Sequence, residues 1–209
     1  MKIGLSILDI DFSCLEKYKD LLKEADFIHL DVMDGVFVPN LTFGDFMIKT
    51  LRKIEKKLCI ESHLMIINPE KHLDKFLEGD WVSLHIETIS FIEDIIERVK
   101  SRGKRLGIAI KPKTPIKYIE KLKGKIDYVL VMSVEPGFSG QKFIEDSVER
   151  IEYLKKEGFE VYVDGGINKE TAVKVKDAGA DGIVSSSYIL RSGNPLKRLK
   201  ELKKILQEG

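Results

Sequence analysis

Residues able to do acid–base and metal chemistry gather in two short stretches and one distant position. His29-Leu30-Asp31-Val32-Met33-Asp34-Gly35 sets an imidazole, a carboxylate and a thioether at alternate positions, and Ser62-His63-Leu64-Met65 repeats the imidazole and thioether. Side chains alternate between faces along an extended strand, so His29, Asp31 and Met33 share one face, as do His63 and Met65. Two imidazoles and a carboxylate so placed are a donor set for a divalent ion, with Asp164 as a further carboxylate. Nitrogen and oxygen donors suit Zn, Fe, Mn or Co and do not choose among them. Each residue alone has an ordinary explanation. A strand-end histidine more often hydrogen-bonds within a core, Asp31 and Asp34 precede a glycine turn, and single methionines fill space. Their concentration at neighbouring strand ends favours a site. His72 has no such company and is read as structural.

A second chemistry is anion binding. Pro136-Gly137-Phe138-Ser139-Gly140, Asp164-Gly165-Gly166 and Ser185-Ser186-Ser187 are runs of small residues. Such turns let main-chain N–H groups converge on phosphate oxygens, with the dipole of a following helix adding to the attraction. One turn of this kind is weak evidence; three after consecutive strands are more specific.

These residues need elements to hold them. Apolar, β-branched runs at 3–8, 27–32, 58–64, 81–85, 105–110, 128–132, 160–164 and 182–185 predict strands. Amphipathic patterns at 14–24, 46–56, 70–77, 91–101, 116–122, 144–157, 170–178 and 196–207 predict helices between them. Ser13 is placed to cap the first helix, Pro69 and Pro195 suit first turns, and Gly158 and Gly179 follow helix ends. Eight βα units most economically close into a (β/α)8 TIM barrel, expected as a single domain over 1–209, with an open doubly wound sheet as the alternative. Ser6, His29, Asp31, His63, His85 and Asp164 then all fall at or near C-terminal strand ends, the face on which such barrels build their sites.

The 209 residues include 35 Lys plus Arg and 34 Asp plus Glu, for a formal charge of +1. That balance argues against holding nucleic acid or anionic membrane by bulk charge. The chain is 33% charged, while Asn and Gln together number six, a usage like that of heat-adapted surfaces. Cys14 and Cys59 form no C-x-x-C pair, no apolar run reaches membrane-spanning length, and Asp9 and Asp11 interrupt any signal core. A reducing cytoplasm is the expected compartment.

With these motifs assembled, the chain resembles the ribulose-phosphate 3-epimerase family over nearly its whole length. The resemblance is carried by L-S-I-L-D-I-D-F at 5–12, H-L-D-V-M-D-G-V-F-V-P-N at 29–40, S-H-L-M at 62–65, V-M-S-V-E-P-G-F-S-G-Q-K-F at 131–143 and V-D-G-G-I-N at 163–168. It implies a (β/α)8 barrel acting on a phosphorylated ketose. It makes His29, Asp31, His63 and Asp164 ligands of one divalent metal, and Asp31 and Asp164 the acid/base pair. Ser6 and His63 would contact substrate, and Met33, Met65 and Met132 would surround the reacting carbons. Gly137, Phe138, Ser139, Gly140, Gly165, Gly166, Ser186 and Ser187 would line the phosphate site. No organic cofactor is implied, and a homo-oligomer is. The chain departs from the family's pattern at Leu5 (usually Pro), at Asp9-Ile10 (usually Ser-Ala) and at Ser186 (usually Gly). D-ribulose 5-phosphate is the leading substrate and D-allulose 6-phosphate the runner-up. A sugar-phosphate sensor and a metal-free phosphate-binding lyase are the alternatives from other classes.

Overall fold

Short strands that are apolar on both faces need cover on both sides, which a parallel sheet closed inside a ring of helices supplies. The computed structural model, which describes residues 1–207, forms that arrangement. β1 (Lys2–Ser6), β2 (Phe27–Met33), β3 (Ile60–Met65), β4 (Trp81–His85), β5 (Arg105–Ile110), β6 (Tyr128–Met132), β7 (Val161–Asp164) and β8 (Gly182–Ser185) pair in chain order. All pairings are parallel and β8 returns to β1, so the sheet is a closed barrel and not an open doubly wound one. The outer helices are α1 (Lys19–Glu24), α2 (Phe46–Ile54), α3 (Leu73–Phe76), α4 (Ile92–Ser101), α5 (Lys117–Glu120), α6 (Ser147–Lys156), α7 (Lys169–Asp177), α8 (Ser187–Leu190) and α9 (Pro195–Gln207). Among the described residues no helix is long and apolar enough to cross a membrane.

The differences from the sequence pattern are local. The helix expected at 14–24 is a 3-10 segment, Phe12–Tyr18, followed by α1. Its start is capped by Asp11 and not by Ser13: the Asp11 carboxylate accepts the Ser13 N–H at 3.0 Å. The expected 70–77 helix is a 3-10 turn at Pro69–Lys71 and then α3. The short α8, directly after β8, is too brief to show periodicity and was hidden within the serine run. Pro69 and Pro195 do open their helices, and Gly158 and Gly179 follow α6 and α7 at φ of +83° and +92°.

The base of the barrel explains how the upper end is held. Phe27, Trp81, Tyr128 and Tyr162 fill it with rings in mutual contact, centroids 5.0–5.8 Å apart. Three of these rings lie across glycines on the adjoining strands: Gly4 pairs with Phe27, Gly107 with Tyr128, and Gly182 with Tyr162. A Cβ at any of the three glycines would stand 2.3 Å from the ring. The glycines are there for room, not for backbone freedom. Replacing Gly107 with Ala is expected to cost about 1–3 kcal/mol in urea unfolding, because the displaced Tyr128 ring has no empty volume to enter.

Candidate active site

The pleat of β2 and β3 brings the predicted donors together. Their register sets Asp31 beside His63, His29 beside Glu61 and Met33 beside Met65. His29 Nε2 lies 3.2 Å from Asp31 Oδ1 and 3.2 Å from His63 Nδ1, and His63 Nδ1 is 3.4 Å from Asp31 Oδ1. Asp164 Oδ2, from β7, is 3.7 Å from both imidazole nitrogens. All four donor atoms fall within 4.8 Å of one another. His29 and His63 are fully buried, and Asp31 nearly so.

Each imidazole is aimed from behind. His29 Nδ1 sits 2.8 Å from Glu61 Oε2, and the other Glu61 oxygen accepts from Ser83 Oγ at 2.9 Å and Tyr128 Oη at 2.6 Å. With Nδ1 committed to Glu61, His29 turns Nε2 to the cluster. His63 is backed through its other nitrogen by His85, Nε2 to Nε2 at 2.9 Å, and His85 Nδ1 lies 3.1 Å from Glu87 Oε2. Glu87 in turn accepts the Lys111 amide at 2.9 Å and the Thr114 hydroxyl. Sequence reasoning noted His85 without a purpose and missed Glu61 and Glu87. For Glu61 the signal was available: it lies two residues before His63, hence on the same inward face.

Charge in this enclosure is out of balance without a cation. Burial works to lower the His29 pKa, but the Asp31 and Glu61 carboxylates outweigh it and raise it well above the usual imidazole range. Burial works to raise Asp31, yet the neighbouring His29 and then His63 hold it well below an ordinary carboxyl. Asp164 is raised, by burial and by the Asp31 charge, against the pull of His29 and His63. The nitrogen/oxygen donors, their spacing and this demand for positive charge all fit a divalent metal.

Above the cluster opens a cavity. Ser6, Met33, Met65, Met132, Gly137, Phe138, Ser139, Gly140, Gly165, Gly166, Ser186 and Ser187 line it, together with Asp31 and Asp164. His63 is absent from the cavity wall and lies beneath it, facing the cluster. Ser6 Oγ donates to Asp31 Oδ2 at 2.7 Å and so holds that oxygen away from the imidazoles. Gly166 has φ +63°, and a Cβ there would stand 2.5 Å from the Phe143 main-chain nitrogen, so only glycine fits. Ser186 has φ −119°, which makes no demand for glycine at that departure from the family's pattern. Leu5, the departure in β1, is fully buried on the outer face of the strand, in the layer between sheet and helices.

Residues 2–190 match the ribulose-phosphate 3 epimerase family. The chain belongs to that family. A ribulose-phosphate 3-epimerase of Methanocaldococcus jannaschii is 41% identical over 100% of this chain and 92% of its own length. One of Aquifex aeolicus is 39% identical over 96% of this chain and 95% of its own, and a chloroplastic enzyme of Arabidopsis thaliana is 39% identical over 96% and 75%. Among solved structures, 3-hexulose-6-phosphate synthase of Salmonella typhimurium superposes with a TM-score of 0.76 at 17% identity, covering 100% of this chain and 99% of that one. At that identity it speaks for the fold alone.

Two outcomes are expected. Glu61→Gln should weaken divalent-metal affinity about 10- to 100-fold in chelator competition, because the amide no longer draws the His29 Nδ1 proton as a carboxylate does. Glu87 supplies the second. Burial works to raise its carboxyl, but bonds from His85, Thr114 and the Lys111 amide hold it down at about 2, below the ordinary 4.5. That stabilisation, up to about 3 kcal/mol, is complete above pH 4.5 and lost as pH falls toward 2. Melting of Glu87→Gln across this window should therefore show a flatter pH dependence than the parent.

Proposed function

We propose that the protein is a metal-dependent 3-epimerase that interconverts D-ribulose 5-phosphate and D-xylulose 5-phosphate. The observation that carries this reading is the pair Asp31 and Asp164, which face one cavity from strands three places apart around the ring, over a buried donor cluster. Epimerisation at C3 removes a proton next to the C2 carbonyl and returns one to the opposite face. A single base on one side cannot readily do both. One carboxylate takes the C3 proton while the other, protonated, delivers to the far face, and the two exchange tasks in the reverse direction.

The cavity supplies what such a transfer needs. Ser6 fixes Asp31 by donating to its Oδ2, and both residues line the cavity. The Asp164 carboxylate accepts no hydrogen bond from the described residues, so its reach is set by its backbone on β7. Met33, Met65 and Met132 form a polarizable wall that keeps water from the planar ene-diolate. Gly166 and Ser186 each present a main-chain N–H with no protein acceptor among the described residues, suited to phosphate oxygens. A divalent ion held by His29, Asp31, His63 and Asp164, whether Zn, Fe, Mn or Co, would supply Lewis-acid stabilisation of the negative charge that develops on oxygen. The interconversion involves no net redox change, so it calls for no nicotinamide or flavin.

Proton NMR in deuterated buffer, with metal-loaded protein, tests this reading on D-ribulose 5-phosphate beside D-allulose 6-phosphate. Deuterium should enter at C3 and the pentose phosphate should turn over faster. Asp31→Asn and Asp164→Asn should each slow interconversion by about 10²- to 10⁴-fold. Where metal content is retained, each variant should still exchange the C3 proton of one epimer only, the one its remaining carboxylate faces. Absence of exchange with either ketose in the metal-loaded parent would sink the epimerase reading and leave a binding protein.

A further inference from the structure

Two of the positions at which the sequence departs from its family's pattern meet in space. Asp9, in the loop after β1, accepts from Ser139 Oγ at 2.8 and 2.7 Å through its two carboxylate oxygens and from Ser186 Oγ at 3.2 Å. Arg191, just beyond α8, donates through one terminal nitrogen, Nη2, to Asp9 at 2.8 Å and to Ser139 Oγ at 3.1 Å. The Asp9 side chain is largely covered while that of Arg191 is mostly exposed. One carboxylate thus ties the loop after β1 to the turns after β6 and β8, the two walls of the anion end of the cavity.

The second terminal nitrogen of Arg191 is the informative atom. Nη1 donates to no protein acceptor among the described residues and lies 3.1 Å from where a Cβ on Gly140 would stand. Ser139 and Gly140 both line the cavity, so the guanidinium lies against its rim residues without itself forming part of the wall. The lining side chains themselves include two carboxylates, Asp31 and Asp164, and no lysine or arginine. A dianionic phosphate entering this end gains from a guanidinium, whose planar fork matches phosphate oxygens.

We infer that Arg191 is a phosphate-contacting residue of this protein and that Asp9 is its positioning residue. Asp9 holds Nη2, leaving Nη1 free toward the ligand, and it also takes the hydroxyl protons of Ser139 and Ser186. With those protons committed, neither hydroxyl donates to the phosphate, and the main-chain amides together with Arg191 do. The specificity that follows is for a terminal phosphate dianion over a neutral sugar end. This rests on the sugar-phosphate reading of the cavity.

Calorimetric titration of the metal-loaded protein with inorganic phosphate, at fixed ionic strength, tests the inference without requiring turnover. Arg191→Gln should weaken phosphate binding about tenfold, as expected for loss of a charge-assisted hydrogen bond, and Arg191→Lys should recover part of it. Asp9→Ala should also weaken binding, and the double variant should bind no worse than Arg191→Gln alone, because Asp9 acts through the arginine. In turnover the loss should fall on KM for the phosphorylated ketose and not on kcat. Unchanged phosphate affinity in Arg191→Gln overturns the contact. Tighter phosphate binding in Asp9→Ala, whether through lost repulsion or through the Ser139 and Ser186 hydroxyls it frees, overturns its positioning part. A parent protein that binds no phosphate removes the sugar-phosphate reading itself, and this inference falls with it.

Discussion

Three carboxylates, Asp31, Glu61 and Asp164, crowd two imidazoles inside a barrel that admits little water to them. Buried charge of one sign is costly unless it is paired and hydrogen-bonded, and these groups have few ways to be satisfied. Glu61 is fully provided for, with donors from His29, Ser83 and Tyr128. Asp31 divides its two oxygens between the imidazoles and Ser6. Asp164 is the least satisfied of the three, and of the two that open on the cavity, Asp31 and Asp164, it is the more exposed. The arrangement is stable with positive charge at its centre, and its residual imbalance lies where a ligand arrives.

The layers of the barrel follow from this requirement. Aromatic rings close the base and exclude water, Glu61 and His29 occupy the next level, and the remaining donors sit above them under a methionine wall. Tyr128 belongs to two of these levels at once. Its ring packs in the base while its hydroxyl holds Glu61, so packing around Gly107 is felt at His29. A parallel chain of contacts leads from His63 through His85 and Glu87 to the main chain after β5.

The barrel was readable because its strands are apolar on both faces and its helices on one, a distinction that periodicity captures. The donor set was readable for the same reason, since alternation along β2 and β3 obliges His29, Asp31 and His63 to face one way. Glu61 obeyed that rule too, but a glutamate between Ile60 and Ser62 looks like an ordinary solvent-facing charge until the strand is known to lie inside. The splitting of the 14–24 and 70–77 helices turns on single backbone conformations, the non-helical Cys14 and the 3-10 turn at Pro69–Lys71, which an apolar pattern does not register. The contact of Asp9 with Arg191 lay beyond local reading altogether, because 182 residues separate the partners and only closure of β8 onto β1 joins them.

The pairing of glycines with rings at the base has a consequence for how such a chain can drift over generations. A glycine facing Phe27, Tyr128 or Tyr162 cannot gain a side chain while the ring stays, and the ring cannot shrink without leaving a hole in a close-packed interior. Each member therefore becomes replaceable only after its partner has changed, and the intermediate is penalised along either route. Cross-strand pairs of this kind are inherited as units, which ties the history of one strand to that of its neighbour. The mouth has one comparable lock, in the turn after β7, where Gly165 stands against the Val134 side chain and Gly166 against the Phe143 main chain, so the turn under the ligand is bound by the same restriction as the floor.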